Sequence, residues 1–533
     1  MSWTQTVSIE KLAGKKPALF KHGAKQIALF RSDDRVFAFD NRCPHEGYPL
    51  REGSIDGECV LTCNWHNWKF RLSDGHNLLG DDHLRVYPTR IEEDQVWVDF
   101  SEKPKELLLE ESKNAMLAAF KERQYDRMAR ILTKMSFDGL DLLDVVREAV
   151  NWSHNRFQWG MTHAFAALAD WLTLYDFHKG NRELRVLALT ETLDHIAHDS
   201  LRYPEFPFPE TQQTYSESAF LEAIENEDET AAIELLNGAL VNGLHFGDLR
   251  KVLARAALAH YNDFGHSLIY VHKAGEVIGW LGTTVERGVL RALVRSLVYA
   301  TREDLLPEFR QYAPALETAL DIPLSTQSVG SLNGPYGLSV NKSLDWVNQS
   351  LQSHQPEAVY ASLIEAASLN LLTFDLTYQH HTELPVSKNR GWLSVTHAVT
   401  FANALRELAG DDEVLWRPGL LQLACFTGRI TPFVQPDDYS SWMIEDTDSF
   451  FEQALQQIYD HGQALPIFSC HLLKTTAAVR EEINHLPDTV NRLLLGGLNR
   501  FLNEPIKAKH VRRTVKQAIA LVSRDYSESQ RGD

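Results

Sequence analysis

A chain of 533 residues is too long for one ordinary domain and long enough to bury a large apolar core. Its formal charge of −19 excludes a dedicated binder of nucleic-acid backbone, which needs clustered Lys and Arg. With 44% hydrophobic and 23% charged residues the composition is globular. No apolar run reaches the ~18 residues of a membrane span, and the opening Met1-Ser2-Trp3-Thr4-Gln5 has neither a secretory nor a transit pattern. The expectation is a cytoplasmic protein with no nucleic-acid and no membrane partner. Five cysteines, at 43, 59, 63, 425 and 470, are too sparse and odd in number for a disulfide framework.

Residues 1–101 read as short strands, at 26–31, 36–40, 59–62, 68–72 and 95–100, separated by turn clusters such as Ser32-Asp33-Asp34 and Ser73-Asp74-Gly75. This is a small all-β domain. A linker is expected at 102–112, after which apolar residues recur at helical spacing through Met116, Phe120, Met128, Ile131 and Leu132. The fold class is therefore multidomain: a small β domain followed by a large all-α region. The stretch 322–342, with Gly330, Gly334, Pro335 and Gly337, divides that region into a first half at 113–322 and a second at 343–522, and 523–533 is a polar, flexible tail. Three segments recur in order across the halves, as an internal duplication would leave them. Trp159-Gly160-Met161-Thr162-His163 is echoed by Trp392-Leu393-Ser394-Val395-Thr396-His397, residues 193–202 by 420–429, and Phe264-Gly265-His266 by Phe468-Ser469-Cys470-His471.

The strongest motif is Cys43-Pro44-His45, then Cys63-Asn64-Trp65-His66. Each loop offers one thiolate and one imidazole. A Cys2His2 zinc site is the generic alternative, but the setting resembles Rieske ferredoxins and the Rieske domains of oxygenases over nearly all of residues 1–100. The resemblance implies a 2Fe-2S cluster with Cys43, His45, Cys63 and His66 as ligands, two thiolates on one iron and two neutral imidazoles on the other. It also involves Gly47, Pro49-Leu50, Trp65 and Trp68 around the cluster. Cys59 reads as a buried strand residue. High-potential Rieske proteins add a disulfide between the two loops and two hydroxyl side chains after the second histidine. This chain has Tyr48 and Trp65, then Trp68 and Phe70, at the matching positions. Fewer hydrogen bonds to the cluster imply a potential at the low end of the Rieske range, roughly −150 mV.

The electron acceptor is sought among the helices, whose first half is rich in histidine. In Glu191-Thr192-Leu193-Asp194-His195-Ile196-Ala197-His198-Asp199, spacings of three and four put His195, His198 and Asp199 on one face. Imidazole and carboxylate suit iron. The expected non-haem iron site draws on these, on His163 from the preceding helix, and on His260, Asp263 or His266 from a later one, with His163, His198, Asp199 and His266 as the catalytic set. The bland reading of any one of them is a solvated or hydrogen-bonded helix residue. The order His163, His198, Asp199 looks like the opening of an HD-type metal domain. Phe264-Gly265-His266-Ser267-Leu268-Ile269, the segment 468–474 and the Leu-rich 491–502 resemble questin-oxidase-like proteins, a helical family associated with oxygen insertion into polyketide-derived quinones. That likeness makes His266 and His471 candidates. Ferritin-like di-iron sites need two Glu-x-x-His helices, and only Glu482-Ile483-Asn484-His485 fits.

No dinucleotide loop, phosphate-binding loop or nucleophile elbow is present, so a separate reductase is expected to feed the cluster. Trp159, Tyr270 and Trp392 are among the aromatic residues that could line a pocket for a flat small molecule, with core packing the alternative. The leading expectation is an oxidoreductase passing single electrons from the 2Fe-2S cluster to a non-haem iron, where an organic, aromatic or polyketide-like substrate is oxygenated. The alternatives are a redox-responsive binding protein and an electron carrier whose helices dock a ligand or partner. A homo-oligomer would serve if electrons crossed between subunits.

Overall fold

The computed structural model describes residues 3–14, 16–201 and 203–523. The chain divides into two compact units at Ala115/Met116. The first holds, among the described residues, eleven strands: β1 Trp3–Ser8, β2 Ala18–His22, β3 Lys25–Ser32, β4 Arg35–Asp40, β5 Ser54–Ile55, β6 Val60–Thr62, β7 Lys69–Arg71, β8 Asn77–Leu79, β9 Val86–Tyr87, β10 Thr89–Glu92 and β11 Gln95–Asp99. They form three antiparallel sheets, ordered β1-β11-β10, β2-β3-β4-β9 and β5-β6-β7-β8. The period of two along a strand decides how these pack. In β3 and β4, Ala28, Phe37 and Phe39 face a core shared with Leu50, Leu61, Cys63 and Phe70. Their neighbours Ile27, Leu29, Val36 and Ala38 face a second core with Tyr87, Val96 and Val98. The middle sheet is thus buried on both faces, which makes it a rigid platform for the loops that leave it.

Residues 102–112, expected as a linker, lie mostly in a helix, Lys105–Lys121. Its run of Leu, Glu, Lys and Ala has high helix propensity, and Lys103 bonds Glu111 across the first turns at 2.6 Å. The second unit is all-helical, and the structure has twenty α-helices among the described residues. The stretch 322–342 is irregular up to residue 339, between helix Tyr312–Leu320 and helix Val340–Leu351, which starts inside it, and the helical region forms one compact unit. The expected tail lies, from 524 on, outside the described residues. Among the described residues no helix is long and apolar enough to cross a membrane.

Four helices organise the second unit: His163–Phe177, His266–Leu281, Trp392–Ala409 and Pro466–Glu482. Each packs against two of the others, closing a ring. Their faces are not uniformly apolar. Lys273 Nζ lies 2.8 Å from Asp170 Oδ1, seven residues beyond His266 and His163 respectively. Asn403 donates to Glu481 at 2.8 Å and Glu482 at 2.9 Å, and Arg406 Nε donates to Glu482 at 2.9 Å. In each pair, residues beyond one histidine meet residues beyond the other, so the helices of each pair run parallel, with their N-terminal ends on the histidine side.

Candidate redox and metal centres

In the first unit the two motif loops share one backbone plan. The Cys43 N–H donates to the Tyr48 carbonyl at 2.9 Å and the Gly47 N–H to the Cys43 carbonyl at 2.8 Å. The Cys63 N–H donates to the Trp68 carbonyl at 2.7 Å and the Asn67 N–H to the Cys63 carbonyl at 2.9 Å. The fourth residue after each cysteine must be left-handed, with φ of 78° at Gly47 and 60° at Asn67, and glycine and asparagine are the residues that tolerate this. The loops bring His45 Nδ1 and His66 Nδ1 within 3.2 Å of each other. Both cysteines are buried and free of disulfides. Burial pushes the Cys43 thiol up to about 11, with Cys63 beside it adding to the shift. A deprotonated pair here therefore needs cationic charge, which iron supplies. The histidine edge is the more exposed one. Trp68 stacks on His45 at 4.7 Å and Trp65 on His66 at 4.7 Å, while Tyr48 and Trp65 meet at 5.8 Å. Cys59 is buried, as expected, but lies just before strand β6 and not in it, at the end of an exposed turn with φ 60°, its N–H donating to the Asp56 carbonyl at 3.2 Å.

In the second unit four imidazoles converge. His163 and His266 are the first residues of their helices; His397 and His471 each lie one turn further in. His266 Nε2 is 3.0 Å from His163 Nε2 and 2.9 Å from His397 Nε2. The His471 ring is 4.9 Å from that of His163 and 5.1 Å from that of His397. The outer nitrogens fix the tautomers. His266 Nδ1 donates to the Asp263 carbonyl at 2.5 Å, His471 Nδ1 to the Ile467 carbonyl at 2.7 Å, and His397 Nδ1 to the Leu393 carbonyl. Each of these rings therefore turns an Nε2 lone pair inward, and His471 Nε2 is buried with no hydrogen-bond partner. Lone pairs facing each other at hydrogen-bond distance repel unless a proton or a metal ion lies between them. Protons are disfavoured: burial, then the Lys474 charge, hold His163, His397 and His471 well below the ordinary imidazole value and His266 down to about 3. Burial also pulls Lys474 down to about 8. Helix N-termini on this side add further positive potential. The donor set, with backbone carbonyls orienting the outer nitrogens, could hold a transition-metal ion, and His163, His266 and His397 group their ring nitrogens within 4.8 Å.

Of the expected ligands, the structure brings together His163 and His266. It places the others elsewhere. His198 Nδ1 bonds Asp199 at 3.0 Å and His195 Nε2 lies 3.8 Å from the same carboxylate. Asp199 also accepts from Thr162 Oγ1 at 2.7 Å, and Thr162 caps the His163 helix. This trio supports the entry to a ligand helix instead of presenting ligand atoms to the four-histidine centre. His260 is held between Asp304 at 2.8 Å and Glu225 at 2.9 Å, away from the centre, and those acids raise its affinity for a proton. Asp263 contributes its carbonyl, and burial pushes its carboxyl up to about 7. Glu482 is committed to Tyr360, Asn403 and Arg406. His397 is not among the expected candidates and His471 is one only through the questin-oxidase likeness, although the repeat aligns them with His163 and His266.

Paired thiols and paired imidazoles on two matched loops define an iron-sulfur electron-transfer domain. Residues 2–87 match the Rieske [2Fe-2S] domain family, so the N-terminal unit is a Rieske domain binding a 2Fe-2S cluster. The chain is similar to the biphenyl dioxygenase ferredoxin subunit of Pseudomonas sp. (strain KKS102), 34% identical over 104 residues, 19% of this chain and 94% of that protein. It is similar to the ferredoxin component of the alkene monooxygenase system of Xanthobacter autotrophicus, 25% identical over 20% of this chain and 88% of that protein. Among solved structures, the ferredoxin of carbazole 1,9a-dioxygenase from Nocardioides aromaticivorans IC177 is 20% identical, covering 18% of this chain and 97% of that chain with a TM-score of 0.18.

Proposed function

We propose that the chain is an oxidoreductase in which single electrons from the Rieske cluster serve a non-haem iron held by His163, His266, His397 and His471, for oxygenation of an organic substrate. The observation that carries this reading is the set of inward-facing Nε2 atoms at 2.9 and 3.0 Å, of which those of His266 and His397 are unprotonated by virtue of their outer hydrogen bonds. Bound there, iron would supply the one-electron and dioxygen chemistry that side chains lack. The protein's own share is orientation and access. Carbonyls hold the rings, and Tyr270 Oη stands 3.4 Å from His163 Nδ1. His397 and His471 are buried while His163 and His266 keep partial exposure, so the centre is reachable from one side. Trp159 and Phe264 are exposed, four and two residues before His163 and His266, and supply aromatic surface for a flat substrate, Phe264 with Arg429 over one ring face. A separate reductase would charge the cluster, because the sequence has no dinucleotide loop of its own; the similar ferredoxins are named as parts of a dioxygenase and of a monooxygenase system.

The test is iron and acid-labile sulfide content of anaerobically purified protein beside His397→Ala and His471→Ala. More than two irons per two sulfides, falling to two in the variants, is expected. Two irons per two sulfides in all three proteins would leave an electron carrier or a binding protein.

A further inference from the structure

The last described helix, Val511–Val522, is attached by the wrong side for a soluble surface helix. Its polar residues grip the body. Arg513 Nη1 donates to the Tyr378 carbonyl at 2.8 Å, Lys516 pairs with Glu383, and Gln517 Nε2 donates to the Leu384 carbonyl at 2.7 Å and Asn389 Oδ1 at 2.8 Å. Its apolar residues face out: Val511 is 60% exposed, Val515 53%, Ile519 62% and Val522 50%. At 3.6 residues per turn these four fall within an arc of about 80°. A surface helix normally buries such a stripe.

The charge of the segment decides what fits over it. Between Glu504 and Asp525 the sequence carries Lys507, Lys509, Arg512, Arg513, Lys516 and Arg524 and no acidic residue, within a chain of net charge −19. Lys509 and Arg512 are exposed. The same helix of a second copy would set like charge against like. An anionic bilayer surface offers opposite charge to the basic side chains and an acyl boundary to the aliphatic stripe. We propose that Val511–Val522 is a peripheral anchor lying on anionic lipid, with Val511, Val515, Ile519 and Val522 in the acyl boundary and Lys509 and Arg512 at the headgroups. This departs from the expectation that the protein has no membrane partner, and it needs no spanning helix.

The experiment is co-sedimentation of the full-length, iron-loaded protein with vesicles of phosphatidylglycerol and phosphatidylcholine, or of phosphatidylcholine alone. Expected are binding to the anionic vesicles, weakening with added salt, and loss of about tenfold or more in affinity in Val515→Asp/Ile519→Asp and in Lys509→Glu/Arg512→Glu. These exposed sites leave the fold intact, which cluster absorbance and circular dichroism would verify. Wild type that stays in the supernatant overturns the proposal, as does vesicle binding indifferent to both double variants. A dimer dissolved by Val515→Asp/Ile519→Asp, without vesicle binding, would assign the face to a second copy instead.

Discussion

At the scale of single residues, the two centres differ in how their ligands announce themselves. Cys43, His45, Cys63 and His66 sit in two short loops, so spacing alone groups them. Tyr48 and Trp65, which stand where high-potential relatives of the resemblance carry a disulfide, meet as rings at 5.8 Å. A redox titration followed by electron paramagnetic resonance should give a midpoint of roughly −150 mV; a value well above zero would show that other groups stabilise the reduced cluster. The helical centre was only half legible. In the densest histidine run, local i, i+3 and i+4 spacing favours His195, His198 and Asp199. The structure instead takes one imidazole from each of four distant helices, which no local spacing records. The repeat that pairs His397 with His163 and His471 with His266 was the usable signal. His195 has a different consequence. Burial depresses it from 6.5 to about 4, against the Asp199 charge. The unfolded chain takes up this proton below about pH 6.5 and the folded one does not until about pH 4, so stability falls as pH drops through that window. The loss is up to about 3 kcal/mol from this group. Thermal unfolding across the window should therefore decline less steeply in His195→Gln than in wild type; parallel curves would refute the assignment.

At the scale of elements, helix starts and helix depth matter most. Strands 26–31, 36–40 and 95–100 were readable because alternation and turn residues are local, whereas 102–112 was misread as a linker because its charge masked strong helix propensity. The entry to the His163 helix depends on Gly160, with φ of 88°, where an added Cβ would lie 2.2 Å from the Ser296 nitrogen and 2.5 Å from the Ala292 oxygen. Gly160→Ala should cost about 1–3 kcal/mol and lower helical iron content by displacing His163, while leaving sulfide content unchanged. Deeper in the ring, Lys273 lies 2.8 Å from both Asp170 and Glu276, and Asp170 is only 4% exposed. Lys273→Met strands a buried carboxylate and should destabilise the helical unit by about 3–5 kcal/mol. Adding Asp170→Leu should restore more than half of that in denaturant unfolding. Failure of the second substitution to rescue would mean that the pair's desolvation is not the dominant effect.

At the scale of the whole molecule, one chain joins a Rieske domain to a four-histidine helical centre built by different physics. The Rieske unit presents its histidine edge outward from a β platform, and the helical unit gathers four neutral imidazoles at the N-terminal ends of its ring. Neither arrangement requires the other: a ferredoxin manages with the first alone, and a metal-binding helical protein with the second. Their fusion makes functional sense if electrons leaving the cluster are consumed at the helical centre. Protein reduced anaerobically and then mixed with dioxygen should re-oxidise its cluster about tenfold faster in wild type than in His397→Ala. His397 belongs to the helical unit, so its removal leaves the cluster ligands and their hydrogen bonds intact. A slower bleach then reports the loss of an internal acceptor and not damage to the donor. Equal rates in the two proteins, with helical iron present in wild type, would mean that the cluster discharges directly to solvent or to an external partner. The helical metal would then act in a reaction that draws no electrons from the Rieske domain.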